Sequence, residues 1–134
     1  MSKSDLEVCL QRHATSKITN LEDLDQILSL GFRGEALAAI SSVSQLSIET
    51  SQENESWHLQ CTGGVKSQIR PGTRTKGTLI HIQDLFFNAP ARRKFLRKPG
   101  IEANDCVEIL KFIAISHPEV SFSWHVVDDS GEIR

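Results

Sequence analysis

The chain has 134 residues, of which 39% are hydrophobic and 24% are charged, and its formal net charge is −2. This length and composition are typical of one soluble globular domain with a sizeable core. No apolar run approaches the roughly 20 residues of a membrane-spanning helix, and the amino terminus lacks the apolar stretch of a secretory signal. Cys9, Cys61 and Cys106 are odd in number and form no CxxC pair. They favour reduced thiols in a cytosolic protein over a disulfide-bonded secreted one.

Charge is segregated along the chain. Residues 1–60 have a net charge of −5, residues 61–100 of +8 and residues 101–134 of −5. This pattern indicates a basic surface on an otherwise acidic domain, unless the charges disperse over solvated faces on folding. The five histidines lack the spacing of metal ligands relative to each other or to cysteine, which argues against a purely metal-based chemistry.

The first third of the chain has helical patterns. Two leucines four apart predict the last turns of a helix over residues 5–12. After a polar loop, Asn20 is a good N-cap for a helix over residues 21–30, which would end at Gly31. A second helix over residues 33–43 is apolar on nearly every side, so we expect it to be buried.

The middle of the chain changes to strand periodicity. Four segments have strand-like patterns, at residues 44–51, 56–62, 65–69 and 78–84. Gly63-Gly64 is a two-residue hairpin signal, and residues 70–77 are predicted to form a long turn. In the last strand we expect Leu79 or Ile80 to face a core.

The remainder of the chain returns to helix. A turn over residues 88–90 precedes a short basic helix that begins beside Pro90. A long amphipathic helix is predicted over residues 101–117, and its inward residues are Val107, Leu110, Ile113 and Ala114. A final strand follows over residues 120–127. The sequence thus predicts one α+β domain with a largely antiparallel sheet. Both ends look cut, which predicts a partial domain over residues 1–134, truncated at each end.

The stretch "LSLGFRGEALAAISSV" joins the two predicted amino-terminal helices. Gly31 and Gly34 would let the backbone approach a ligand closely, and the following helix presents amides at its positive dipole end. Arg33 adds a charge-assisted donor for phosphate oxygens, whereas Glu35 complements the dipole as any structural helix would. Spacing alone therefore leaves two interpretations open, a phosphate-binding loop and a simple helix joint.

A second candidate is "HATSK", in which Thr15, Ser16 and Lys17 offer hydroxyls and an ammonium for phosphate oxygens or a phosphate-bound metal. Such a segment by itself is also typical of an ordinary loop. The chain has no GxxxxGK[ST] pattern, which excludes a P-loop fold.

A third candidate is "ARRKFLRK", in which five of the seven residues from Arg92 to Lys98 are basic. On a helix, Arg93 would share a face with Arg97, and Lys94 with Lys98, while Phe95 and Leu96 would turn inward. The segment fits salt-sensitive contact with a nucleic acid backbone. A solvated helix anchored by its two apolar residues is the alternative.

Taken together, "RHATSKI", "LGFRGEALAAISSV" and "GTLIHIQDLFFNAPARRKFL" resemble the MutL family of DNA mismatch repair proteins in order and spacing. The resemblance covers essentially the whole chain and is weakest in residues 47–76 and after Pro99. It implies an incomplete GHKL (Bergerat-type) ATPase sandwich, with a mostly antiparallel sheet and helices on one face. Gyrase B and histidine kinases belong to the same superfamily.

The resemblance implies three groups of site residues. The lid segment over the nucleotide phosphates would be Thr15, Ser16 and Lys17. The phosphate loop would be Gly31, Phe32, Arg33, Gly34, Glu35, Ala36 and Leu37, and Thr78 would lie near the adenine pocket. The residues implied in DNA binding are Arg92, Arg93, Lys94, Arg97 and Lys98. The implied cofactors are ATP and Mg²⁺.

In the family, ATP binding orders the lid and makes two amino-terminal regions dimerise, and hydrolysis resets this clamp. The clamp coordinates mismatch recognition with strand incision. The partners implied are DNA, a second copy of the protein, the mismatch-recognition protein MutS and a downstream nuclease. The implied location is the bacterial cytoplasm, at the nucleoid and without a membrane.

The family's catalytic glutamate, its magnesium-binding asparagine and its DxGxG motif lie upstream of "RHATSK", and we do not find them in this chain. Glu35 does not replace the missing base, so we assign no catalytic residue and expect no ATP turnover by the chain alone. An alternative is a truncated, non-catalytic module that binds DNA or a partner. A further alternative is another ATPase of the superfamily, such as a histidine kinase, but "PARRKFL" argues against it.

Overall fold

The fold is taken from a computed structural model, which describes residues 1–13 and 34–127. The predicted loop, capped helix and glycine stop of residues 14–33 therefore lie outside the described residues. Two compact units divide the chain, Met1–Arg93 and Lys94–Arg134. None of the helices within the described ranges has the length and apolarity to cross a membrane.

Helix α1 spans Lys3–Val8 and begins at a complete capping box. The Asp5 amide donates to Ser2 Oγ at 3.1 Å, and the Ser2 amide donates to Asp5 Oδ2 at 2.9 Å. The same hydrogen bonds lower the pKa of Asp5. The helix predicted over residues 5–12 therefore begins and ends earlier than expected, and its start is fixed because Ser2 and Asp5 satisfy its first amides.

A five-stranded antiparallel sheet follows, as the alternation predicted. Its strands are β1 (Gln45–Gln52), β2 (Glu55–Thr62), β3 (Val65–Lys66), β4 (Arg70–Pro71) and β5 (Gly77–Gln83). The order is β3-β2-β1-β5, with β4 also paired to β2. The predicted third strand is shorter than expected, and the predicted long turn contains the two residues of β4.

Two tight turns connect the first three strands. Gly63 and Gly64 join β2 to β3 with φ values of 56° and 88°, which confirms the predicted hairpin. Glu53 and Asn54 join β1 to β2, also with positive φ values of 53° and 68°. At Gly63 a Cβ atom would lie 3.2 Å from Asn88 Nδ2, so the turn also packs closely against a later segment.

The core lies between α1 and one face of the sheet. It comprises Leu6, Leu10, Leu46, Ile48, Leu59 and Cys61, all buried. Helix α2 spans Ala36–Ser41 and adds to this core, with Ala38 buried and Leu37 and Ile40 half-buried. Ala39 is exposed, so the expectation of a helix buried on every side was wrong. These helices lie against the sheet as the predicted α+β fold requires.

Strand β5 is less covered than expected. Ile80 pairs with the buried Ile48 but is 41% exposed, and Leu79 is 48% exposed. Ile80 therefore lies on the face of the sheet that carries the core, as predicted for one of these two residues, but it is only partly covered. The reason is positional, because β5 ends the described sheet and the buried cluster stops at β1 and β2.

The carboxy-terminal unit is built on helix α4, which spans Pro99–Ser116. Its predicted inward residues Val107, Leu110, Ile113 and Ala114 are half-buried, which confirms the orientation. Its opposite face is also apolar, with Ile109, Phe112 and Ile115 exposed. The predicted strand over residues 120–127 does not form, apart from an isolated bridge at Val127. Among the described residues of the carboxy-terminal unit there is no strand with which residues 120–127 could pair.

Candidate nucleotide and nucleic-acid sites

The start of α2 is the part of the candidate phosphate loop that the structure describes. Gly34 has a φ of 62°, a left-handed conformation that a side chain would strain, and Glu35 is the N-cap residue of the helix. The first amides of an α-helix have no intrahelical acceptor and carry partial positive charge, so they suit an anion. Position 34 therefore favours glycine because of its backbone conformation.

Glu35 makes contacts with other residues of the protein. Its carboxylate Oε1 lies 3.1 Å from His13 Nδ1, and its carbonyl accepts the Ala39 amide at 2.8 Å. This contact joins the segment after α1 to the start of α2. The remaining predicted phosphate and lid residues, Thr15, Ser16, Lys17, Gly31, Phe32 and Arg33, lie outside the described residues.

Thr78, the predicted adenine-pocket residue, lies near the start of β5. It pairs with Thr50 of β1, and the two hydroxyl oxygens are 2.9 Å apart. Thr50 is fully buried, and its Oγ1 also accepts from the amino-terminal nitrogen of Met1 at 3.1 Å. The Thr78 hydroxyl is thus held on the face of the sheet that carries the core.

The basic segment is not one helix. Helix α3 spans only Pro90–Arg93, and the chain divides between Arg93 and Lys94. The predicted sharing of helical faces by Arg93 with Arg97 and by Lys94 with Lys98 was therefore wrong. Phe95 is 85% exposed and Leu96 42%, so these two side chains do not turn inward as expected.

Arg97 has a structural role at the start of α4. Its Nε donates to Glu102 Oε1 at 3.0 Å, and its guanidinium also pairs with Asp105. These contacts raise the pKa of Arg97 and lower that of Glu102. Arg97 is therefore the most neutralised cation of the segment. In the part of the chain that the structure describes, Arg92, Arg93, Lys94 and Lys98 form no ion pair.

A carboxylate clamp on the loop before β5 was not predicted. Glu49 Oε1 accepts the Thr73 amide at 2.6 Å, the Thr73 hydroxyl at 3.1 Å and the Arg74 amide at 3.2 Å. These donors, with Thr73 contributing most, lower the pKa of Glu49. A Cβ atom at Gly72 would lie 2.6 Å from Ser56 Oγ, so the loop passes close to β2. Within the described residues no cluster of His, Cys, Asp and Glu could hold a metal ion.

Comparisons with known proteins give concordant results. No family model matches the chain. It is 48% identical to the DNA mismatch repair protein MutL of Histophilus somni, over 92% of the chain and 20% of that protein. For MutL of Mannheimia succiniciproducens, the identity is 46% over the same shares. The chain therefore spans about a fifth of the length of these curated relatives.

Solved structures support the same relationship. The Aquifex aeolicus MutL ATPase domain complexed with ADP superposes with a TM-score of 0.61 at 35% identity, covering 76% of this chain and 41% of that chain. The N-terminal domain of a DNA repair protein superposes with a TM-score of 0.76 at 25% identity, covering 100% of this chain and 38% of that one. The fold class expected from the motifs, a part of a GHKL ATPase domain, is confirmed by these superpositions.

Proposed function

This chain matches a segment of the MutL family of DNA mismatch repair proteins, and on that premise we propose that it forms the phosphate-gripping part of an ATPase domain. The observation that carries the proposal is the likeness to a MutL ATPase domain complexed with ADP. The left-handed Gly34 before α2 supports it, because a residue without a side chain lets a ligand approach the backbone closely.

In this proposal the nucleotide phosphates lie against the backbone amides of residues 33–37, of which the structure describes residues 34–37. Thr15, Ser16 and Lys17 close over them, and Thr78 borders the adenine. The resemblance assigns the Mg²⁺ ligand and the catalytic glutamate to a region upstream of this chain. In this proposal the chain contacts the phosphates of ATP or ADP and contributes no general base.

Calorimetric titration with ADP tests this proposal. We expect saturable binding that is weakened by Gly34→Val, because a β-branched residue strains a φ of 62°. Gly100→Ala is the control, since a Cβ at that position meets nothing within 4 Å. The absence of saturable ADP binding by the unaltered chain would refute the nucleotide site. Robust magnesium-dependent ATP hydrolysis would instead refute the proposal that this chain contributes no general base.

For the DNA partner, we propose that the basic residues around α3 contact the phosphate backbone. Arg92 and Arg93 are exposed at the end of α3, whereas two carboxylates neutralise Arg97. The proposed DNA contact is therefore carried by Arg92 and Arg93, together with Lys94 and Lys98, more than by Arg97.

Salt-titrated DNA binding separates these residues. The double change Arg92→Gln and Arg93→Gln should reduce the slope of log affinity against log salt by about 2, at roughly 0.9 per lost phosphate contact. Arg97→Gln should leave the slope nearly unchanged. Equal effects of both changes would refute this division of roles. DNA binding without any ADP binding would favour the alternative of a non-catalytic DNA-binding module.

The wider functions of the family extend this proposal. The complete protein would dimerise through its amino-terminal region on binding ATP and couple MutS to a downstream nuclease in the bacterial cytoplasm. Crosslinking of the complete protein with and without a non-hydrolysable ATP analogue tests the first step. A dimer yield that is independent of nucleotide would exclude an ATP-driven clamp.

A further inference from the structure

The contact between His13 and Glu35 lies at the start of α2, beside the place proposed for the nucleotide phosphates. Glu35 is the N-cap residue of α2, and its Oε1 atom lies 3.1 Å from His13 Nδ1. A neutral imidazole can carry its N–H on Nδ1, and an imidazolium carries an N–H on both ring nitrogens. The contact is therefore available to His13 in both protonation states.

His13 follows directly on the part of the chain that is anchored in the core. Leu10 is 9% exposed and belongs to the core cluster together with Leu6. The φ of His13 is 63°, a left-handed conformation that costs free energy for a residue with a side chain. Such a conformation persists where the surrounding structure holds it. The position of His13 is therefore set by the core on one side and by Glu35 on the other.

The Glu35 carboxylate stands where it can compete with a phosphate. The first amides of a helix carry partial positive charge, which attracts a carboxylate near the N-cap. A capping side chain accepts a hydrogen bond from the second or third helical amide, and in α2 these amides belong to Leu37 and Ala38. A carboxylate that took them would occupy donors needed by a phosphate and would also repel its charge.

The structure holds the Glu35 carboxylate in another place. Within the described residues, the Glu35 side chain makes no capping hydrogen bond at the start of α2, and its carboxylate lies beside His13. Helix α1 differs in this respect, because the Ser2 side chain caps it. The side chain of its own N-cap residue therefore leaves the first amides of α2 to another acceptor.

We propose that His13 is a positioning residue of the nucleotide site, which holds the Glu35 carboxylate away from the first amides of α2 and so leaves them to phosphate oxygens. This inference rests on the proposed function, because it concerns the same site. His13 acts through Glu35 rather than on the nucleotide. Without His13, the Glu35 carboxylate becomes a competitor of the phosphate.

Calorimetric titration of the chain with ADP tests this role. His13→Ala should weaken binding by about threefold, in the range of an exposed pair of side chains. Adding Glu35→Gln to His13→Ala should restore the affinity, because the competing charge is removed. His13→Asn should retain the affinity, since the side-chain NH₂ group takes the place of histidine Nδ1 and asparagine tolerates a positive φ.

The matched control is His117→Ala, because His117 Nδ1 lies 3.2 Å from Glu119 Oε1 in the carboxy-terminal unit. This change should leave the affinity for ADP unaltered, and thermal unfolding of each variant shows whether the fold is retained. The inference is overturned if His13→Ala binds ADP as tightly as the unaltered chain. It is also overturned if Glu35→Gln fails to restore binding, or if His117→Ala weakens binding as much as His13→Ala.

A measurement without nucleotide separates this inference from the proposed function. In His13→Ala, the released carboxylate should shift the NMR resonances of the Leu37 and Ala38 amides, and the addition of Glu35→Gln should return them toward those of the unaltered chain. Failure of the unaltered chain to bind ADP would refute the proposed function, whereas the role of His13 would still be decided by these resonances. Unchanged Leu37 and Ala38 amides in His13→Ala would overturn the inference.

Discussion

Leu6 is the residue through which α1 is held to the sheet, and its truncation gives a sharp test of the described core. The side chain is fully buried among Leu46, Ile48 and Leu59. Leu6→Ala removes three carbon atoms, about 2.4 kcal/mol of transfer free energy at about 0.8 kcal/mol per methylene. The residual cavity raises the expected loss of unfolding free energy to about 3 kcal/mol.

Val8→Ala is the matched control on the same helix, because Val8 is 43% exposed; it should cost less than about 1 kcal/mol. Alanine has the higher helix propensity in both cases, so a loss reports packing rather than helix formation. Urea unfolding followed by Trp57 fluorescence measures both variants, in a Trp124→Phe background that removes the second tryptophan. Equal losses for Leu6→Ala and Val8→Ala would refute the assignment of α1 to the core.

Three further predictions concern the clamp and the carboxy-terminal helix. Gly72→Ala should release the loop, because a Cβ there would lie 3.0 Å from Glu49 Oε1, and faster exchange of the Thr73 amide would show it. The pKa of Glu49 lies below its ordinary value of 4.5. The contribution of the Glu49 carboxylate to the free energy of unfolding is therefore complete above pH 4.5 and is lost as the pH falls through the lower pKa of the folded protein. The NMR chemical shift of the Thr73 amide should follow this titration and should not change from about pH 5 to 8. Leu110→Ala should lower the midpoint of thermal unfolding, measured by circular dichroism, more than Phe112→Ala does. The reason is that Leu110 is half-buried whereas Phe112 is 71% exposed. A larger effect of Phe112→Ala would contradict the described orientation of α4.

The features predicted well from sequence are those that depend on neighbouring residues. The alternation of β1 and β2 and the Gly63-Gly64 turn needed no distant partner, because side chains alternate across a strand and a tight hairpin turn requires positive φ. The orientation of α4 could likewise be predicted from neighbouring residues, since its half-buried residues recur at helical spacing.

The features predicted wrongly depend on distant partners. Residues 120–127 alternate like a strand, but a strand forms only where another is available to pair with it. The basic segment has helical spacing, yet α3 ends at Arg93, and Arg97 is instead paired with acidic residues of α4.

In the candidate site, too, local features could be predicted from the sequence and contacts between distant residues could not. The sequence motif marked Gly34 as a place where a ligand could approach the backbone, but its positive φ is known only from the structure. The clamp of Glu49 on Thr73 joins residues 24 positions apart, and neither residue type signals the contact.

The end of α2 is tied directly to the segment that leads into α3. The Ser42 carbonyl accepts from Asn88 Nδ2 at 2.9 Å, and the Val43 carbonyl accepts the Phe86 amide at 2.7 Å. A ligand that displaces α2 along its axis must stretch these bonds or carry α3 with it. If a nucleotide at the start of α2 changes the affinity for DNA at α3 by some factor, thermodynamic linkage requires that DNA changes the affinity for the nucleotide by the same factor. Two hydrogen bonds of ordinary length would thus link the proposed nucleotide site at α2 to the proposed DNA contact at α3.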